Sequence, residues 1–306
     1  MNYRPEYSHQ WNSKTYYTQL RLDPLGKDSA DEMLSALLDD GKDLIPLKRL
    51  IIGRTEGIPF FMEEIVQTLF EDSVLQRNGS VKLVRSMNAV KVPAKVQAVL
   101  ATRIDRLPAE EKELLQTLAV LGREFPFKLV QRVTQKSDDE LERMVSRLQA
   151  GEFIYEQPAT GDVQYTFKHA LTHEVAYNTL LLERRRSLHE RTGEAIEQMH
   201  LARLDDYLAE LAYHYGRGAN ARKAVHYLER AGNQALGRSA YSESRMLLGR
   251  GLELLKELPN DLQRAREEIN LQNALGLFVL RDGSPGRTRA RGRLYSSQRS
   301  KRKLGG

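Results

Sequence analysis

The chain has 306 residues, 41% of them hydrophobic, and no cysteine, which fits two helix-rich domains and excludes a disulfide framework or a Cys-ligated metal site. Its formal charge of +6 suggests a nucleic-acid binder only until the charges are located: residues 281–306 hold nine Lys/Arg against Asp282 alone, and the totals of 47 basic and 41 acidic residues fall to 38 and 40 without them. A body of net −2 implies no nucleic-acid partner for the folded part.

Met1-Asn2-Tyr3-Arg4-Pro5 lacks the apolar core of a signal peptide, and the longest apolar stretches, such as 275–280, are far short of the ~20 residues of a membrane span. A cytoplasmic location is the default expectation, with no membrane partner. Residues 14–22 are rich in β-formers and end at Asp23-Pro24, so they predict one strand. No neighbouring strand follows in sequence, which implies a sheet whose other members lie outside this chain. Ser29-Ala30-Asp31-Glu32 is a capping-box pattern and predicts a helix through Leu38.

Leu47, Leu50 and Ile51 recur at helical spacing, as do Phe61, Ile65, Val66 and Leu69. Between them stands Arg54-Thr55-Glu56-Gly57-Ile58-Pro59-Phe60-Phe61-Met62-Glu63-Glu64. Gly57 supplies the freedom that ends one helix, and Pro59 has the φ suited to the first turn of the next, through about Phe70. Taken alone, this is a helix–turn–helix corner that needs no ligand. Asn78-Gly79 then turns the chain into a strand-like Val81–Val84.

Pro93 opens a helix that buries Val96, Val99, Leu100, Ile104 and Leu107, and Pro108-Ala109-Glu110-Glu111 opens the next, burying Leu114, Leu115, Leu118, Ala119 and Leu121. Helices at about 126–134 and 138–150 follow, the second behind a capping box at Ser137-Asp138-Asp139-Glu140. Ile154-Tyr155 and Val163–Phe167 flank Pro158-Ala159-Thr160-Gly161-Asp162 as a hairpin. Helices plus a hairpin predict a winged helix over 93–170. From 170 to 280 the pattern is helical, including 205–216, which buries Leu208, Leu211, Ala212 and Tyr215. Ala224-x3-Leu228-x2-Ala231 and Ser244-x3-Leu248-x2-Gly251 alternate small with large residues, as paired antiparallel helices of a tetratricopeptide-like (TPR-like) arm do.

The corner resembles the Gly-x-Pro motif, T-E-G-N-P-x-F-x-E-E, of the STAND branch of the AAA-type ATPases. Val92–Pro108 looks like the first winged-helix segment of that family, and Phe167-Lys168-His169-Ala170-Leu171-Thr172-His173-Glu174-Val175-Ala176-Tyr177 like its close. With Arg238-Ser239-Ala240-Tyr241 before Leu252–Leu255, the resemblance covers about 4–280. It is nearest to the predicted bacterial ATPases fused to class III adenylate/guanylate cyclase domains. The resemblance implies the last strand of a nucleotide-binding α/β domain at 1–25, a helical lid at 26–92, a winged helix at 93–170, TPR-like repeats at 171–280 and a disordered basic tail at 281–306. It also implies that Gly57 and Pro59 form the cofactor-binding corner, with the proline against the adenine of ATP or ADP. Isoleucine at 58 departs from the usual asparagine and removes a side-chain amide from the turn.

No Gly-x4-Gly-Lys-Ser/Thr occurs in the chain, so no loop of amides cradles phosphates, and no acid-ended apolar strand for magnesium precedes the lid. The expectation is no catalytic residue, no enzyme activity and no tight nucleotide binding by this chain. His169 and His173 share a helix face beside Glu174, but the order is not that of a metalloprotease and a third ligand is lacking, so packing is expected and no metal. Adjacent Glu63 and Glu64 point apart on a helix and suit the dipole of its first turn better than paired acid–base work. Arg184-Arg185-Arg186 precedes Glu190 and Glu194 and predicts a solvated, ion-paired face. The candidate recognition helix Asp138–Ala150 carries four acids against Arg143 and Arg147, which disfavours DNA.

The sequence therefore predicts a mostly α protein. Its expected function is that of the regulatory C-terminal fragment of a STAND/AAA-type signalling ATPase, whose arm meets protein partners and whose output is a cyclase or another effector. A free-standing TPR-like interaction module is the alternative, and a winged-helix transcriptional regulator a weaker one. The abrupt change at 281 further suggests an ending translated out of frame, because the family would continue with more amphipathic helices.

Overall fold

The computed structural model describes residues 23–85, 92–158 and 161–281. The expected strand at 14–22 and the basic tail beyond 281 lie outside the described residues. The fold is mostly helical, with two small antiparallel sheets, and it divides into two compact units after Arg106. Among the described residues no helix is long and apolar enough to cross a membrane.

In the first unit, α1 (Lys27–Leu38), α2 (Ile45–Thr55), α3 (Pro59–Glu71) and α4 (Val96–Arg106) surround one core. Leu34 and Leu38, Leu47 and Ile51, and Met62, Ile65 and Leu69 line up at helical spacing and bury together. A hairpin of β1 (Leu75–Asn78) and β2 (Ser80–Leu83) adds Leu75 and Val81 to that core. It is held to the end of α1 by Arg77 donating to the Leu37 carbonyl at 2.8 Å and by the Val81 amide donating to Asp39 at 2.8 Å. The capping box at Ser29 is not formed. α1 starts two residues earlier, after Gly26, with no side-chain cap.

Val99 of α4 joins the first core, so α4 lies with the first unit, whereas the sequence grouping started the next domain at 93. A buried ionic cluster fixes its register. The Arg103 guanidinium meets Glu64 of α3 at 2.5 Å and Glu71 at 2.7 Å, with the Arg103 and Glu64 side chains 1% and 3% exposed. Desolvation works against the guanidinium charge, but hydrogen bonding to Glu71 and attraction to Glu64 outweigh it and raise its pKa. Glu64 is therefore structural, through Arg103 and not through the helix dipole.

The second unit begins with α5 (Ala109–Leu121), β3 (Glu124–Pro126), α6 (Phe127–Thr134), α7 (Asp138–Ala150), β4 (Ile154–Gln157) and β5 (Gln164–Phe167). The sheet order is β3-β5-β4, with Phe125 opposite Tyr165 and Ile154 opposite Phe167, which is the connectivity of a winged helix. Phe125 and Phe167 meet edge to face at 5.9 Å, a favoured aromatic geometry. Ser137 stands at the N-cap of α7 without a side-chain cap bond; Gln131 instead engages Asp138, and Lys136 engages Glu140.

α8 (Ala170–Asn178) and α9 (Leu182–Met199) lead into α10 (Leu208–Tyr215), α11 (Ala221–Gly237), α12 (Tyr241–Leu255) and α13 (Leu262–Arg281). The expected helix at 205–216 starts only at Leu208, behind a 3₁₀ turn, Leu201–Tyr207, in which Arg203 breaks helical geometry. The small–large alternation does what it predicts. A Cβ on Gly232 of α11 would lie 2.7 Å from the Leu248 side chain of α12, and one on Gly251 would lie 3.3 Å from Leu271 of α13.

Replacing Arg103 with methionine removes the guanidinium that faces the buried Glu64 charge, and we expect a loss of ~3–5 kcal/mol in urea unfolding. Adding Glu64→Leu to Arg103→Met should recover part of that loss. A double variant as unstable as the single one, or more so, would remove the ionic account.

Candidate functional site

The expected corner forms between α2 and α3. Glu56 and Gly57 both take left-handed φ values, +52° and +76°, and Pro59 is the first residue of α3. Gly57 is buried, and its carbonyl accepts from the Leu25 amide at 2.8 Å. A Cβ on Gly57 would stand 2.2 Å from the Leu25 carbonyl oxygen, so glycine is required here both by φ and by close approach. Pro59 is exposed. The structure thus brings Gly57 and Pro59 to one corner but gives them different surroundings: Gly57 backs onto Leu25, and Pro59 presents its ring outward.

Ile58 is the N-cap of α3 in extended geometry, 44% exposed, and offers no side-chain cap. Its amide donates to the Thr55 carbonyl at 3.0 Å, so backbone alone closes the turn that an asparagine would otherwise reinforce.

Further along, the histidine pair of the sequence takes up packing roles. His169 caps α8 by accepting from the Leu171 amide, and His173 Nε2 lies 2.9 Å from the Ala119 carbonyl of α5. Among the described residues no group of three or more His, Asp or Glu could hold a metal ion. The arginine run separates into three environments. Arg184 pairs with Glu113, Arg185 donates to the Tyr177 and Leu180 carbonyls, and Arg186 is exposed, so pairing with Glu190 and Glu194 is not what orders them.

Two polar clusters between α9, α10 and α11 were not foreseen. The Nδ1 atoms of buried His189 and His214 are 3.0 Å apart, and His189 Nε2 is 2.9 Å from the Tyr177 hydroxyl. Such a pair requires one ring to donate and the other to accept, which double protonation forbids. Burial pushes His189 down to about 3, with His214, Arg217 and Arg185 adding to the shift, and burial with Arg217 pushes His214 down to about 4. In the second cluster the Glu197 carboxylate accepts from Tyr215 at 2.7 Å, Tyr227 at 2.6 Å and Lys223 at 2.8 Å. Burial alone would raise the Glu197 pKa, but these three donors hold it below the ordinary range. These partners are 12 to 30 positions apart, so no local spacing announced them.

No protein-family model matches the chain, and no curated protein matches it. The residues themselves therefore carry the functional argument.

Adjacent substitutions at the corner should have opposite signs. Gly57→Ala must lose more than about 1 kcal/mol of unfolding free energy, because the strained φ and the clash add. Ile58→Asn should gain about 0.5–1 kcal/mol by capping α3. Equal signs in chemical denaturation would contradict the geometry.

The histidine pair generates a pH dependence. Both folded pKa values lie below the unfolded value, so the unfolded chain takes up protons first, and stability is full above about pH 6.5 and falls with pH toward 4. At pH 5 the loss is about 2 kcal/mol per histidine. A His189→Gln/His214→Gln double variant should show a shallower decline between pH 7 and 5; an unchanged slope would rule out the pair as its source.

Proposed function

We propose that this chain is the regulatory C-terminal portion of a STAND/AAA-type signalling ATPase, in which nucleotide exchange and hydrolysis in a P-loop segment of the intact protein switch a partner-binding helical arm. The observation that carries this reading is an order of elements: a Gly-x-Pro corner with an exposed proline, then winged-helix connectivity, then paired repeat helices, in one chain. The exposed Pro59 ring suits an apolar contact with adenine. ATP or ADP is held mainly by the absent phosphate-binding machinery, so this chain binds neither tightly and catalyses no hydrolysis. Protein partners meet the arm, the effector is a cyclase or another output domain, and the protein works in the cytoplasm.

The winged-helix connectivity does not make α7 a reader of DNA in this proposal. Arg147 engages buried Glu111, and the four acids of α7 outnumber its two arginines. Phosphate neutralisation, the main source of non-specific affinity, has little to draw on there.

The coding sequence upstream tests the reading at once. A P-loop in an adjoining segment is expected, and its absence in every frame favours the free-standing interaction module. Biochemically, phosphate release from ATP should stay at the level of a mock purification; release above it that Pro59→Ala abolishes would overturn the proposal. A chain ending at Leu280 should retain no duplex DNA selectively at about 150 mM salt, where weak electrostatic binding is suppressed. Sequence-selective retention would favour the transcriptional reading.

A further inference from the structure

A cleft of about 360 Å³ opens in the second unit between α9, the turn from α10 to α11, and α12. Arg185, Arg186, Arg217 and Arg250 line it, with Glu257 as the acidic residue among its walls. Arg250 is paired with Glu253 at 3.0 Å. Arg185, Arg186 and Arg217 have no carboxylate partner among the described residues, and Arg185 Nε is buried without an acceptor. Three like charges facing one volume repel one another unless an anion joins them.

Two of these guanidinium groups are already held in place. Arg185 lies over the Tyr177 ring at 4.2 Å and bonds to the Tyr177 carbonyl at 3.0 Å. Arg217 lies over the Tyr213 ring at 3.9 Å and bonds to the Tyr213 carbonyl at 3.4 Å. Stacking and carbonyl bonds use one edge of each group and leave other N–H groups for a ligand, so little ordering remains to be done on binding. Gly216, Gly218 and Ala219 flank Arg217 in the turn that forms this wall of the cleft.

We propose that this cleft binds a phosphate monoester. A tetrahedral dianion accepts from several planar forks at once, which a single carboxylate does less well. The volume exceeds a bare phosphate and leaves room for the ester group. The phosphate belongs either to a small metabolite-sized ester or to a phosphorylated side chain of a partner, and the site stands whether or not the chain is part of an ATPase.

The test uses the full chain in calorimetric titration with inorganic phosphate, glycerol 2-phosphate and a short phosphoserine peptide. Saturable binding of inorganic phosphate is expected, weakened about tenfold or more by Arg217→Gln and by Arg186→Gln, two exposed positions whose loss does not threaten the core. Arg184→Gln, which lies outside the cleft and pairs with Glu113, should leave it unchanged. Tighter binding of the peptide assigns the phosphate to a protein, and tighter binding of glycerol 2-phosphate to a small molecule. No saturable binding below ~10 mM phosphate, a range that covers weak ligands, would overturn the proposal. Binding that both cleft variants leave intact would overturn it too, by assigning the phosphate to the basic tail or another surface.

Discussion

The second unit depends on α9, a single helix that contacts α5 and α6 on one side and α10 and α11 on the other. Its Arg184 and Arg191 reach back to Glu113 of α5 and to the Val133 carbonyl of α6. Its opposite face carries Gly193, where a Cβ would lie 3.0 Å from the Tyr215 ring, and Glu197, on which Tyr215, Tyr227 and Lys223 converge. The three donors offset the partial desolvation of this carboxylate, which stays a quarter exposed. The two tyrosines that donate to it stack at 5.2 Å, and burial together with Glu197 raises both hydroxyl pKa values, so the cluster stays in one protonation state near neutrality. Movement of α10 and α11 against α9 would break this cluster and the His189–His214 bond in one step.

The first unit solves a similar problem with charge in place of neutral polar pairs. α4 buries Val99, Leu100 and Ile104, and Arg103 adds a polar constraint on its rotation by reaching Glu64 and Glu71 together. A buried ion cluster contributes little net stability compared with an apolar isostere, but an α4 rotated by a quarter turn would strand all three charges. Specificity of register, more than stability, is what such a cluster gives.

Elements set by local chemistry were legible in the sequence. Pro59 and Pro108 marked the entries to α3 and α5, and small–large alternation marked the packing of α11 on α12. Local pattern failed where a tertiary partner decided the outcome. The capping boxes at Ser29 and Ser137 formed no cap bonds, because α1 starts at Lys27 and the acids of α7 found Gln131 and Lys136. β1 carries one buried residue, Leu75, and β3 has three residues ending in proline; each is a strand only because β2 or β5 pairs with it. At the candidate sites, Gly57 and Pro59 were legible as a corner. The contact that makes Gly57 obligatory, the Leu25 carbonyl, was not, and neither were His214 beside His189 nor the separate settings of Arg184, Arg185 and Arg186.

Net charge was the least informative property of the chain, and the placement of unpaired charge the most. Four acids outnumber two arginines on α7, whereas Arg185 and Arg186 of α9 meet Arg217 of the α10–α11 turn at one cleft. That cleft touches α9 and the α10–α11 turn, which the Glu197 and His189 clusters hold together, and α12, which packs on α11. A ligand bound only when these elements are assembled stabilises their assembly by mass action, by about 2.7 kcal/mol at a hundred times its dissociation constant. That is comparable with the loss of one buried histidine's share of stability at pH 5. Burial, more than His214, Arg217 and Arg185, holds His189 neutral, and an anion in the cleft would offset only the arginine part, favouring proton uptake there. A ligand in the proposed cleft would therefore bear on the same helices that the two polar clusters hold together.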